Sequence, residues 1–493
     1  MSRQTTRERI PQLGILVSLA VAEFVMTLDL SIVNVALPSI RIDLGFAADS
    51  LQWVVNAYAL AFGGILLLGG RMADLFGRRR VFCSALAVFS LASLGCALTP
   101  GAGALVAARV VQGLGAGVLA PTTLSILTAV YPTPSQRNRA LSIWTAVAIG
   151  GGAAGGVIGG VLTAALSWRW VFLVNVPVGT VLFGYGLLRL PREPRRALRE
   201  RVDVAGAVTA TAGLSALVWA LVRAEVAGWG SVAVLSGLAA AALLLGGFLV
   251  IEQRLAHPPL VPLSVFRSRL VTAGNLLSFL SFVPVMATWY LLSIYLQRVL
   301  GCTPVEVGLW FLPMSLAVVG GSQVGFRLVV RVDARVLFGV GALLGAVGLD
   351  RLGRLSAGSS VVWVVVAATI TMVGGGLLSA PITVAATSGL GPEQGGLAGG
   401  LLTTTRQVGG AVGLAVMGTL AAAHTGAAGS GPAAAMTAGS AAAFTTGALV
   451  FVVTAVVGAL TLPARLAPPA TATSPPGRHD ALSQGRRATV RRG

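Results

Sequence analysis

The chain has 493 residues, 55% of them hydrophobic and only 10% charged; soluble proteins are about a quarter charged, so water is excluded as the main solvent and lipid takes its place. All 35 basic residues are arginine, and with 16 acids they give a net charge of +19; the lack of lysine excludes a GxxxxGK[ST] phosphate loop and Schiff-base chemistry, and argues against ATP as a directly bound fuel. Cys83, Cys96 and Cys302, like His257, His424 and His479, are too scattered for a disulfide framework or a ligand set, so no metal and no cofactor are expected.

Crossing the roughly 30 Å hydrocarbon layer takes about 20 apolar residues. Fourteen stretches qualify: 13–38, 50–69, 81–99, 103–125, 139–164, 169–190, 203–222, 231–251, 270–296, 305–326, 335–350, 361–381, 400–421 and 441–463. The eleventh is the weakest, being short and ending at Asp350, Arg351 and Arg354. An even count puts both termini on one side. With both inside, only Arg41, Arg169, Arg223, Arg298, Arg351 and Arg354 fall outside and Arg109 and Arg406 within spans, leaving 27 of the 35 arginines on the inner face. That bias follows the rule that cytoplasmic loops keep positive charge. It explains the net charge as a membrane collar, including Arg78 to Arg80, so no nucleic acid is expected as a partner. Avoidance of lysine with heavy Ala and Gly use points to a GC-rich bacterial source. Residues 1–12 and 464–493 read as polar cytoplasmic tails, the first apolar stretch is long enough to span rather than serve as a cleaved signal, and no long soluble domain interrupts the spans.

In chain order, the first span carries Glu23 and Asp29, six residues and about 120° apart on a helix. Asp29 belongs to Leu28-Asp29-Leu-Ser-Ile-Val-Asn34-Val-Ala-Leu-Pro38, which resembles the LDxTivNvALP stretch of the fourteen-helix drug:proton antiporter branch of the major facilitator superfamily. Glu23 is no part of that pattern. After the second span comes Gly70-Arg-Met-Ala-Asp74-Leu-Phe-Gly77-Arg78-Arg79-Arg80, similar almost position for position to the superfamily's GxLaDrxGrkr loop. Two glycines permit a tight turn, Asp74 can accept hydrogen bonds or pair with arginine, and the basic cluster fixes orientation. The resemblance implies a conformational latch built from Gly70, Asp74, Gly77, Arg78 and Arg79. When Gly325 is set on Gly70, Val329 takes the acid position after the tenth span, so the latch is expected to be asymmetric.

The fourth span reads Leu105-Val-Ala-Ala-Arg109-Val-Val-Gln112-Gly113-Leu-Gly115-Ala-Gly117, similar to the superfamily's lxxxRxxqGxgaa pattern. An arginine inside a span costs at least about 2.5–3.5 kcal/mol on insertion scales and normally has a partner. Asp29 lies at similar depth and is the expected one. The pair serves either helix packing alone or proton coupling, since desolvation raises a carboxyl pKa and a nearby arginine lowers it. The fifth span contains Gly151-x3-Gly155-Gly156-x2-Gly159-Gly160, which resembles the GxxxGPxxGG signature of exporters in this superfamily, with Gly156 where the family has proline. Gly151, Gly155 and Gly159 share one face and allow close backbone approach, which plain helix packing also uses. Laid on the thirteenth span, the fifth sets Thr145 on Thr405 and Gly150 on Gly410, a faint repeat of the kind secondary carriers contain. Further branch-like stretches run from Ser167 through Asn175 to Gly179 and from Tyr295 to Gly301. The resemblance covers residues 13 to about 463.

It implies an all-α polytopic fold of 14 transmembrane helices: an N-terminal six-helix half (13–190), a linker with two inserted helices (191–254) and a C-terminal six-helix half (255–463). The chain is identified as a member of the drug-exporting branch, not an enzyme: a proton-coupled antiporter of small amphipathic substrates, working as a monomer in a bacterial inner membrane. An importer or uniporter on the same scaffold is the alternative, and a membrane receptor a remote one. The spans of the C-terminal half hold no deep acid, because Glu306 and Asp350 lie near outer ends and Glu393 in an inner loop. Asp29 is therefore the first expectation for the coupling acid, and Glu23 the second. Trp289, Tyr290 and Trp310 fit a substrate cavity or an aromatic belt equally well.

Overall fold

The computed structural model describes residues 2–46, 51, 53–131, 133–191, 203–254, 259, 261–356, 358–388, 390, 394–427 and 432–465. His257, Glu393, His479, most of the 191–202 linker and the C-terminal tail beyond 465 lie outside these. Each of the fourteen apolar stretches is helical. The elements are α1 (Ser2–Leu44), α2 (Trp53–Phe76), α3 (Arg78–Ala97), α4 (Ala102–Val130), α5 (Pro134–Ala165), α6 (Trp170–Leu173), α7 (Asn175–Arg189), α8 (Val204–Ala227) and α9 (Val232–Arg254). They continue with α10 (Arg269–Arg298), α11 (Pro304–Leu328), α12 (Ala334–Leu352), α13 (Val361–Thr387), α14 (Gly395–Ala427) and α15 (Pro432–Thr461). An all-helical chain is what lipid requires, because a helix satisfies its backbone groups within itself.

Among the described residues, twelve helices are long and apolar enough to cross a membrane, and α5 makes up to thirteen if its two bent parts form one span. The helix α12 falls short: it is 19 residues long and carries Arg335, Asp350 and Arg351 near its ends. Other boundaries also move. The first helix continues through Pro38 to Leu44, and α2 runs on through Gly70 and Asp74 to Phe76. The segment expected to be a loop is thus mostly the last two turns of α2. Gly77 alone makes the turn, at φ 91°, in the left-handed region that glycine tolerates. The polar residues 2–11 continue α1 as helix, while the apolar span within it begins at Gln12.

The helices α1 to α7 pack on one another, chiefly as α1 on α5 and α2 and α3 on α4. A second bundle joins α10 to α14 and α15, α11 to α13, and α12 to α13 and α15. The hairpin α8–α9 leans through α8 on both α2 and α14. The two bundles meet along α5 with α11 and along α14 with α2 and α4. Several acids are accounted for locally. Asp203 and Asp333 cap their helices, and Glu306 closes a capping box with Thr303, whose backbone N–H it accepts at 2.7 Å. Asp43 accepts from Trp168 Nε1 at 2.9 Å and pairs with Arg169 at 2.5 Å. Trp289 packs edge-on against Phe311 with ring centroids 5.0 Å apart.

Candidate functional site

The expected pair forms. Asp29 and Arg109 are both 0% exposed, with Nη1 to Oδ2 at 2.5 Å. The remaining carboxylate oxygen, Oδ1, accepts from Gln112 Nε2 at 2.9 Å and from Asn175 Nδ2 at 2.8 Å. Gln112 also donates to Ser93 Oγ at 2.7 Å and accepts from Arg109 Nη1 at 2.7 Å. Arg109 Nε donates to the Val54 carbonyl at 2.8 Å, and its guanidinium lies 4.3 Å over the Tyr58 ring and 5.7 Å from that of Phe172. One carboxylate thereby ties together α1, α2, α3, α4 and α7. A buried pair survives only when its spare hydrogen-bonding sites are filled, and here Gln112, Asn175 and the Val54 carbonyl fill most of them, with Ser93 behind the two amides. Arg109 Nη2 and the Tyr58 hydroxyl stay unpaired.

Glu23 points elsewhere. It is 9% exposed and accepts from Thr123 Oγ1 on α4 at 3.4 Å. It also lies within electrostatic reach of Arg406, on α14 of the second bundle. The 120° offset along α1 therefore sends Asp29 into the first bundle and Glu23 towards the interface between bundles.

At one end of that interface, Asp74 Oδ1 accepts from Gly396 N at 3.1 Å and Oδ2 from Leu397 N at 3.2 Å. These are first-turn amides of α14, whose positive end favours a carboxylate. Gly70 makes the contact possible, because a Cβ there would lie 2.2 Å from the Gly396 carbonyl oxygen. Its part is close approach rather than the tight turn the sequence suggested. Arg78 Nε donates to Ser125 Oγ on α4 at 2.8 Å, and Arg79 Nη2 to the Leu187 carbonyl on α7. The acid thus reaches the other bundle while the arginines bind their own. Val329, at the corresponding place after α11, is a buried apolar residue.

The glycine face of α5 lies on α1. Added Cβ atoms would meet Thr27 Oγ1 and the Phe24 carbonyl from Gly151, Ser31 Oγ from Gly155, and the Ile32 carbonyl from Gly159. Gly156 faces Gly308 of α11 instead, and Gly160 is half-buried. The segments Arg139–Gly152 and Ala154–Ala165 meet at 41°, so α5 bends at its glycine run without the family's proline.

Sequence reading missed Ser93, Tyr58 and the roles of Gln112 and Asn175, although the last two sit in the stretches that carried the resemblance. The available signal was a polar residue on a spanning face. Nor did it supply Gly396 as the seat of Asp74.

Among known proteins, the family model described as Major Facilitator Superfamily matches residues 19–414. The chain is 45% identical to a cephamycin export protein of Amycolatopsis lactamdurans, covering 83% of this chain and 85% of that protein. It is 38% identical to a puromycin resistance protein of Streptomyces alboniger, covering 84% and 82%. In three dimensions it is similar to the crystal structure of the human organic anion transporter TETRAN, with a TM-score of 0.66, 16% identity and coverage of 91% and 99%, a likeness of fold alone.

Proposed function

The chain belongs to the major facilitator superfamily, as a multi-pass membrane transporter and not an enzyme, and from that premise we propose that it exports small amphipathic antibiotics or related metabolites in exchange for protons. The observation that carries the export reading is 38–45% identity, over more than four-fifths of the chain, to proteins named for antibiotic export and resistance. The proton is the energy source, because one entering down 100 mV supplies about 2.3 kcal/mol before any pH gradient. Two buried acids of α1 are the groups able to carry it: Asp29 in competition with Arg109, and Glu23 beside the bundle interface.

Two six-helix halves with α8 and α9 between them rock about the interface, exposing the site to each side in turn. The Asp74 contact with α14 and the Gly70–Gly396 approach close the inner side, and release when the halves separate there. The glycine face of α5 keeps α1 fixed within its half during that movement. The protein lies in a bacterial inner membrane with fourteen spans, α12 among them, and both termini in the cytoplasm. Alkaline phosphatase fused after residue 464 should therefore be inactive, and a cytoplasmic reporter at the same place active; the reverse pattern contradicts the even count.

Expression in a host stripped of its own pumps tests export. The chain should raise the inhibitory concentration of at least one of puromycin, cephamycins or lipophilic cations and lower its cellular accumulation. No change across that panel, at verified membrane abundance, would remove the proposal.

A further inference from the structure

Arg109 and Arg406 lie well inside spanning helices, away from their ends, and their surroundings differ. Arg109 is held by a carboxylate, an amide oxygen, a carbonyl and an aromatic face. Arg406 is on α14, ten residues and so about 15 Å along the helix from the Gly396 end of its span. Its Nη2 donates to Thr383 Oγ1 at a long 3.4 Å, while its Nε is buried with no partner. The guanidinium stands 5.3 Å over the Phe282 ring. No ion pair to it forms among the described residues. The acid whose charge reaches it, Glu23, sits on the other bundle and is engaged by Thr123.

Other polar groups on α10 and α14 are also short of partners. Ser278 Oγ on α10 and Thr404 Oγ1 on α14 are buried and unpaired, and Asn275 Oδ1 accepts from Thr405 at 3.4 Å. Asn275, Ser278 and Phe282 are spaced to share one face of α10, and α10 packs along α14. An arginine inside a spanning helix without a close anion is costly, and such residues mark substrate pathways.

The geometry points to Arg406 as the anchor for an anionic group, a carboxylate above all, on the exported compound. The inference rests on the export reading and narrows its substrate class. The Nε and Nη2 edge of a guanidinium matches the two oxygens of a carboxylate. Of these two donors, one is unpartnered and the other holds a long bond that a charged ligand displaces. The Phe282 face supports the apolar part of the same molecule.

The test uses the full chain, purified into proteoliposomes under an imposed pH gradient. The probes are fusidic acid, nalidixic acid and benzylpenicillin, each beside its neutral methyl ester, with tetraphenylphosphonium as a cationic control. Wild type should transport or bind at least one acid about tenfold better than its ester. In Arg406→Gln that ratio should fall to about one while tetraphenylphosphonium is still bound, and Arg406→Lys should restore part of it. If no acid in wild type exceeds its ester while esters or the cation move, the anchor is wrong and export stands. Loss of all probes equally in a well-folded Arg406→Gln also overturns the anchor, and a wild type that moves none of them contradicts the export reading itself.

Discussion

Asp29→Asn is expected to abolish proton-driven transport, leaving accumulation in everted vesicles at the level of empty membranes. The substitution keeps the shape and most hydrogen bonds of a side chain that is 0% exposed and holds Arg109 at 2.5 Å, but it cannot take up or release a proton. It also leaves Arg109 as a buried charge without its counterion, a change that costs about 3–5 kcal/mol when one member of a buried pair is removed outright. Reduced membrane abundance is therefore part of the expected result, and it must be separated from coupling. The double variant Asp29→Asn with Arg109→Gln removes both charges and should recover abundance, since a buried pair can be replaced as a unit at little cost. It should still fail to couple. Normal pH-gradient-driven transport in the double variant would show that this pair only packs the first bundle. Glu23→Gln, made alongside, assigns the proton to the interface acid if it alone removes the pH dependence.

Gly70→Val is the second substitution with a large expected effect. A Cβ at position 70 would meet the Gly396 oxygen at 2.2 Å and its carbonyl carbon at 2.9 Å. These atoms are backbone, so α2 and α14 must move apart to admit the side chain. Separation also breaks the Asp74 bonds to Gly396 N and Leu397 N. Both changes disfavour the state closed on the inner side, and transport should fall to near background. Asp74→Asn is milder: it removes the charge from the α14 terminus, a contribution of about 1 kcal/mol, or roughly fivefold in the balance of states. Leu397→Cys gives a direct readout. Its labelling by a membrane-impermeant maleimide in everted vesicles should rise with Asp74→Asn and rise further with Gly70→Val. Unchanged labelling and unchanged efflux in Gly70→Val would remove this seam from the moving parts.

The fourteen helical stretches were legible because lipid forces the backbone into helices and apolar length reveals them. Their ends were less so. Pro38 read as a stop, yet α1 continues to Leu44, and the motif at Gly70 to Asp74 read as a loop although it is helix. A resemblance to a motif names residues without fixing their backbone. Asp29 and Arg109 could be matched by depth, because each is a costly charge that needs a partner. The network around them could not: Gln112 and Asn175 are ordinary polar residues until their helices bring them to one carboxylate, with Ser93 behind both. Arg406 shows the same limit from the other side. Its position within a span was evident, but the sparse coordination that gives it meaning comes from α10, α13 and α1, elements remote in sequence.

Proton-coupled export is tested most directly with everted vesicles carrying the wild-type chain and a substrate found in the susceptibility panel. An inside-acid pH gradient should drive that substrate into the lumen, nigericin should release it, and adding substrate should itself discharge the gradient as protons leave. Uptake indifferent to nigericin, or net movement of substrate out of the everted vesicle along with protons, would contradict the account.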